Sequence, residues 1–394
     1  MMENLLQKEF TNTYFTQVSS TKGIESLSIK IGISKNSLRR FLGKLNDGTQ
    51  LRISTLNYIS ESLGYADFKD FCTNAENQDD LIDFSALKIF YGSIKGKGVI
   101  TGEERFQNVN YEFAEKIILN PKNLKNFIKE FAENHEALEY VLAWYPTYGK
   151  LANKDYQNVL LQMAKISNNS HLRVFAHSFV YFGNFLSENL SREESEKQLR
   201  NLRKYAMQMR KNYRFFWTFP EFRYRIAECL HAYLHLGKPD KDNLLNQLVK
   251  DFGFDNYPSI SPSERFAYNT YFADALNLVG HYEEANCLQE ITMKANYQND
   301  IENDDYHART HILFAKVSRI LTLYKLGEIK EAENLFLNLA EELSENPILP
   351  FDIKDYFEIQ YYYVATKLYV GNTSYKKRFD SLVRKTSFTY FNTF

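Results

Sequence analysis

The stretch Ile33 to Gly48, "ISKNSLRRFLGKLNDG", sets two adjacent arginines behind Lys35, Asn36 and Ser37. These residue types suit recognition rather than covalent chemistry. An arginine fork donates two parallel hydrogen bonds to guanine or phosphate, and asparagine pairs in the same way with adenine. Ser34 precedes them and can cap a helix by accepting its first free N–H groups. Leu38 and Phe41 would face inward, leaving Lys35, Asn36, Ser37, Arg39 and Arg40 on the solvent side. Lys44 and Arg52 follow as candidates for phosphate contacts. The plain alternative is a solvated helix that only packs or dimerises.

Other constellations compete for attention. Leu199 to Arg225 holds eight basic residues, one acid and eight aromatics. Basic grooves with stacking aromatics bind single strands, and the same mix binds acidic peptides. Two helices with buried rings and solvated arginine heads would give the same pattern. Glu228, His231 and His235 are spaced to offer two or three metal ligands on one helix face, and His307 with His311 repeats the four-residue interval. There is no HExxH and no second carboxylate–histidine pair, so no metal site or cofactor is assigned. Arg225 and His231 resemble the loose arginine–histidine spacing of HEPN-type ribonucleases, a two-residue pattern that arises easily by chance. Tyr91 to Glu104 carries four glycines but lacks the GxxxxGK[ST] spacing of a phosphate loop and a preceding strand. No nucleophile motif stands out. The expectation is a protein that is not an enzyme.

The whole chain is nearly neutral, with 48 basic and 49 acidic residues in 394. A general polyelectrolyte binder is excluded, and any nucleic-acid surface must be local. The charge is indeed local. Lys22 to Arg52 has a net charge of +5, and Ile53 to Phe90 a net charge of −5. Cys72, Cys229 and Cys287 lie far apart without a CxxC, which excludes a zinc ribbon and suits a reducing cytosol. The opening "MMENLLQKEF" lacks a basic region followed by an apolar run. No run approaches the roughly 18 apolar residues of a membrane helix. A cytoplasmic protein with no membrane contact is expected.

The elements that must position these residues read as helices. "YEFAEKIIL", "LKNFIKEFAENHEALEYVLAWY" and "EAENLFLNLAEELSE" place apolar residues three and four apart. Prolines in "ILNPKN", "AWYPTYG", "YPSISPS" and "ENPILP" punctuate them. The fold class is all-α, and a polar, acidic segment 73–83 is the expected linker between residues 1–72 and 84–394. In the C-terminal half, four segments run helix, glycine, helix around Gly237, Gly280, Gly327 and Gly371, at intervals of 43, 47 and 44 residues. A near-constant period of helix pairs is the mark of an α-solenoid. With the glycines as anchors, the inner face carries Glu228, His231, Tyr271, Asp274, Tyr361 and Tyr362, a surface suited to a peptide or protein effector.

Two resemblances sharpen this. "GHYEEANCLQE" and "GEIKEAENLFLNLA" resemble tetratricopeptide (TPR) repeats in their glycine, in Tyr282 or Ile329, and in the small Ala285 or Ala332. Phe336 also fits, whereas Gln289, Asp242 and Lys376 depart from the pattern, and the period exceeds the family's roughly 34. The span Lys22 to Cys72 resembles the helix-turn-helix modules of bacterial repressor-like regulators. Closest is a variant with IS-x-x-[ST]-L-[KR]-R-[FL]-x-G, then TL, then LGY-x-x-[FW]-x-DF. Here those residues are Ile33, Ser34, Ser37, Leu38, Arg39, Arg40, Phe41 and Gly43, then Thr55 and Leu56, then Leu63, Gly64, Tyr65, Phe68, Asp70 and Phe71. The resemblance implies a small helix-turn-helix domain that binds double-stranded DNA as a homodimer, followed by an α-solenoid of TPR-like helix pairs. The layout is similar to that of peptide-responsive transcription regulators. The alternative is an interaction scaffold whose helix-turn-helix no longer touches DNA.

Overall fold

The computed structural model describes residues 2–76, 82–94, 104–212, 218–237, 243, 262–294, 308–347 and 349–394. Among the described residues every regular element is helical, with 21 α-helices. By contacts the chain divides into two compact units, Met1–Leu81 and Ile82–Phe394.

The first unit is built from α1 (Met2–Thr13), α2 (Phe15–Val18), α3 (Thr21–Ile31), α4 (Lys35–Phe41), α5 (Ile53–Ser62) and α6 (Phe68–Glu76). Leu6 and Phe10 stand four apart on α1 and enter one core with Val18, Ile24, Leu27, Leu38, Phe41, Leu56, Ile59 and Phe71. Each such side chain contributes about 1.5–3 kcal/mol through burial. Phe10 meets Phe41 edge-on with ring centroids 5.5 Å apart. Gln7 Nε2 donates to the Phe41 carbonyl at 2.7 Å, and Tyr65 donates to Glu9 at 2.8 Å. So α1, which the motif beginning at Lys22 leaves out, is part of the frame that holds α4. The acidic segment 73–83 begins as helix, since α6 runs to Glu76. Residues 77–81 lie outside the described residues.

The second unit opens with α7 (Phe84–Ile94), α8 (Glu104–Leu119), α9 (Pro121–Glu130) and α10 (His135–Leu138). Pro121 occupies the first turn of α9, where its missing N–H costs nothing, behind the capping Asn120. The remainder comprises α11 (Lys154–Ile166), α12 (Ser170–Leu186), α13 (Arg192–Asn212), α14 (Thr218–His235), α15 (Pro262–Leu278), α16 (Tyr282–Lys294), α17 (Ala308–Leu326), α18 (Ile329–Glu345), α19 (Lys354–Leu368), α20 (Thr373–Thr386) and α21 (Tyr390–Thr393). Consecutive helices pack as pairs, and α12, α14, α15, α17 and α19 lie side by side as a row. Of the four glycine-centred segments, the part of the first beyond Gly237 lies, apart from Asn243, outside the described residues, as do most of Tyr91–Glu104, residues 213–217, and His307.

Contacts between neighbours are not the whole of the packing. Tyr148, in a 3-10 turn between α10 and α11, is buried against the row. Its ring lies 5.4 Å from Phe179, 6.3 Å from Phe182, 6.0 Å from Tyr271, 6.0 Å from Phe314 and 5.4 Å from Tyr356. The Arg223 guanidinium sits over it at 5.6 Å. The Tyr148 N–H donates to the Asp352 carbonyl at 2.8 Å, and the Phe351 N–H donates to Tyr111 of α8 at 3.1 Å. Tyr390 packs on Phe185 at 4.7 Å. An open solenoid buries each repeat only on its neighbours; here Phe351, just before α19, also reaches α8, and Tyr390 of α21 reaches α12. Gly183 of α12 allows the 145–153 segment to approach, because a Cβ there would collide with the Leu151 carbonyl.

Candidate nucleic-acid interface

Helices α3 and α4 are joined by three residues. Gly32 takes a left-handed conformation, φ +80°, which residues with a side chain adopt only at a cost. The Gly32 and Ile33 N–H groups both donate to the Ser28 carbonyl, at 3.0 and 3.1 Å. Ser28 is buried, and its hydroxyl turns back to the Glu25 carbonyl at 2.8 Å. Ser34 then starts α4, accepting from the Ser37 N–H at 3.0 Å. Leu38 and Phe41 are buried. This leaves the opposite side of α4 to solvent.

That side carries the recognition candidates in unequal states. Asn36 is exposed, and Arg39 is half-buried with no hydrogen bond or ion pair among the described residues. Lys35 donates to Glu25 at 2.9 Å. The Ser37 hydroxyl shares a hydrogen bond with Ser34 at 2.8 Å. Arg40 grips Asp47, with Nε 2.8 Å from Oδ1 and Nη2 2.6 Å from Oδ2. Its fork, helped by the Thr49 N–H, holds the Asp47 carboxyl well below its ordinary range and raises the Arg40 guanidinium in return. Both partners face water, so screening keeps the pair exchangeable. The Lys44 ammonium turns back to the Val18 carbonyl of α2. Arg52 is exposed at the start of α5. The five α4 residues therefore share one short helix, while Lys44 and Arg52 stand apart from it.

The candidates for an effector surface fall into three separate neighbourhoods. Glu228 is buried, accepts from Tyr224 at 2.5 Å and from Arg225 at 3.0 Å, and lies 3.4 Å from Arg203. His231 Nδ1 lies 2.8 Å from the buried Ser195 hydroxyl. Desolvation, with His235 and Arg203 nearby, lowers the His231 pKa to about 4. Tyr271 and Asp274 are buried in the interior beside Tyr148 rather than on an open face. Asp274 accepts from Tyr356 and from Gln360, each at 2.8 Å. Tyr361 stacks on Phe336 at 4.6 Å and meets Tyr362 edge-on; both are half-buried. These residues lie on α14, α15 and α19 and not on one accessible surface, because Tyr148 of the 145–153 segment packs on Tyr271 and Tyr356.

Beside Tyr271 and Asp274 that interior holds Arg223 and Asp352, which no motif in the sequence marks. Arg223 is 2% exposed and lies over Phe179, Phe182 and Tyr148, with its Nε and Nη2 making no hydrogen bond among the described atoms. Burial raises Asp274 to about 6, against the opposing pull of Tyr356, Gln360 and Arg223, and raises Asp352 to about 7. Among the described residues no cluster of three or more histidine, cysteine or acidic side chains is placed to hold a metal ion, and no helix is long and apolar enough to cross a membrane. No family model matches the chain, and neither does any curated protein or solved structure.

Proposed function

We propose that the chain is a DNA-binding transcriptional regulator. In this reading the first unit is a helix-turn-helix, with α4 entering the major groove. The second unit is a TPR-like sensor that receives a peptide or protein effector. The observation that carries the reading is the α3–Gly32–α4 geometry, locked by the Ser34 cap. It turns Asn36 and Arg39 outward, with Lys35 and Arg40 in exposed pairs that can be exchanged for phosphate or base. Arg39 and Asn36 would read bases. Lys35 and Arg40 would release Glu25 and Asp47 on contact, and Arg52 would meet the backbone. One such helix reads a short half-site, so a homodimer is expected. A cytoplasmic location follows from the DNA target. Tyr271 and Asp274 lie too deep to greet an effector, which leaves Tyr361, Tyr362 and the half-exposed His231 as the reachable candidates.

A second reading has its own support. Lys35, Arg40 and Lys44 are all engaged within the first unit, as expected of a helix-turn-helix kept for packing. The protein would then be an interaction scaffold. Replacing Arg39 and Arg40 together with alanine separates the two. The regulator loses duplex affinity and part of its salt dependence. An unchanged affinity and slope would leave the scaffold.

A further inference from the structure

Helix α13 carries a strip of cations, part of which forms no ion pair among the described residues. From Lys197 to Asn212 it has six basic residues and no acid. Two of these are turned to α14 carboxylates: Arg203 to Glu228 and Arg210 to Glu221. Among the described residues Arg200 reaches only Glu196, at 3.9 Å. Lys197, Lys204 and Lys211 are exposed and form no ion pair among the described residues. They fall at seven-residue intervals, so they line one face over roughly 21 Å of helix.

Two structural explanations fall short. Favourable interaction with the helix dipole acts only within the last turn; it covers Lys211 but not Lys197 or Lys204. Helix stability does not ask for the strip either, since like charges three and four apart, as in Lys197, Arg200 and Lys204, disfavour the helix.

We propose that this face of α13 binds the phosphate backbone of duplex nucleic acid without reading sequence. The residue types favour that partner over others. Lysine is depleted from the cores of protein–protein interfaces. Met207 is the one large apolar side chain exposed on α13, too little to enter a membrane or anchor a protein. Flexible, point-like ammonium groups in a row match a backbone that rewards charge rather than geometry. The proposal rests on the duplex reading above only for the identity of the polyanion.

The test uses the full chain with Lys197→Gln, Lys204→Gln and Lys211→Gln together, and circular dichroism to check that the helices remain. Binding to a random-sequence duplex is measured between about 50 and 200 mM salt, with and without the Arg39/Arg40 alanine pair. Each phosphate contact contributes about 0.9 to the slope of log affinity against log salt. The triple variant should therefore lose about 2 to 3 from that slope in both backgrounds, with affinity falling on the order of tenfold or more. An unchanged slope overturns the proposal, whatever the α4 variants do. So does tighter binding of polyglutamate than of duplex at equal charge. Loss of sequence preference on changing Arg39 and Arg40 reports on α4 alone, so the two readings fail separately.

Discussion

Arg40 holds Asp47 through two donors, Nε at 2.8 Å and Nη2 at 2.6 Å, and the fork that would contact DNA is thereby closed on a carboxylate seven residues further along the chain. In the proposed reading, duplex binding would open this pair and set Asp47 against phosphate. Asp47→Ala removes both costs. Duplex affinity should rise, on the order of tenfold at low salt, within the range of about 1–3 kcal/mol of one good bidentate contact. Fluorescence anisotropy with a selected site measures it. An unchanged affinity would mean that Arg40 is not at the interface.

The Ser34 cap and the α1 anchor set the position of α4. Ser34→Ala should cost about 1 kcal/mol, because the Ser37 N–H loses its acceptor. Phe10→Ala should cost about 3–5 kcal/mol, by leaving a cavity against Phe41 and Tyr14. Denaturant unfolding followed at the first unit reads both. A small effect of Phe10→Ala would show that α1 is not part of the frame.

Two buried acids make stability depend on pH in an unusual direction. Asp274 and Asp352 titrate near 6 and 7 in the fold, above the ordinary value of 3.8. The folded state thus binds their protons more tightly than the unfolded state. Their contribution is complete below about pH 4 and is lost as pH rises through 6 to 7. Asp352→Asn should therefore gain stability relative to the parent chain between pH 5 and 8, by up to a few kcal/mol. Melting temperatures of both proteins across that range test the sign. Parallel curves would place Asp352 in contact with water.

The close approach of the 145–153 segment to α12 depends on Gly183. A methyl group there would press on the Leu151 carbonyl. Gly183→Ala should destabilise the second unit by about 1–3 kcal/mol and leave duplex selectivity intact. Thermal unfolding and a binding assay on the same sample check both halves.

The turn was legible in the sequence because its causes are local. Gly32 supplies the left-handed residue, Ser34 caps within three residues, and Leu38 and Phe41 repeat at helical spacing. All-helical architecture followed from the same periodicity. What was not legible depends on distant partners. Nothing near Arg40 in its own helix announces Asp47, which lies across a loop. Leu6 and Phe10 stand four apart on α1, with Tyr14 four residues further on just past its end, but the polar residues between them hide the pattern. The stretch around Tyr148 read as proline punctuation, since local pattern says nothing about a ring packed against Tyr271, Phe314 and Tyr356. That contact removed Tyr271 and Asp274 from the surface where repeat spacing had placed them.

The central claim is that α4 reads DNA. The most direct measurement is in vitro selection from random duplex DNA at near-physiological salt, using the full chain and its Arg39→Ala/Arg40→Ala variant. The account predicts an enriched, two-fold symmetric motif that the parent chain binds and the variant does not. Enrichment of the same motif by both proteins, or of none by either, would contradict it.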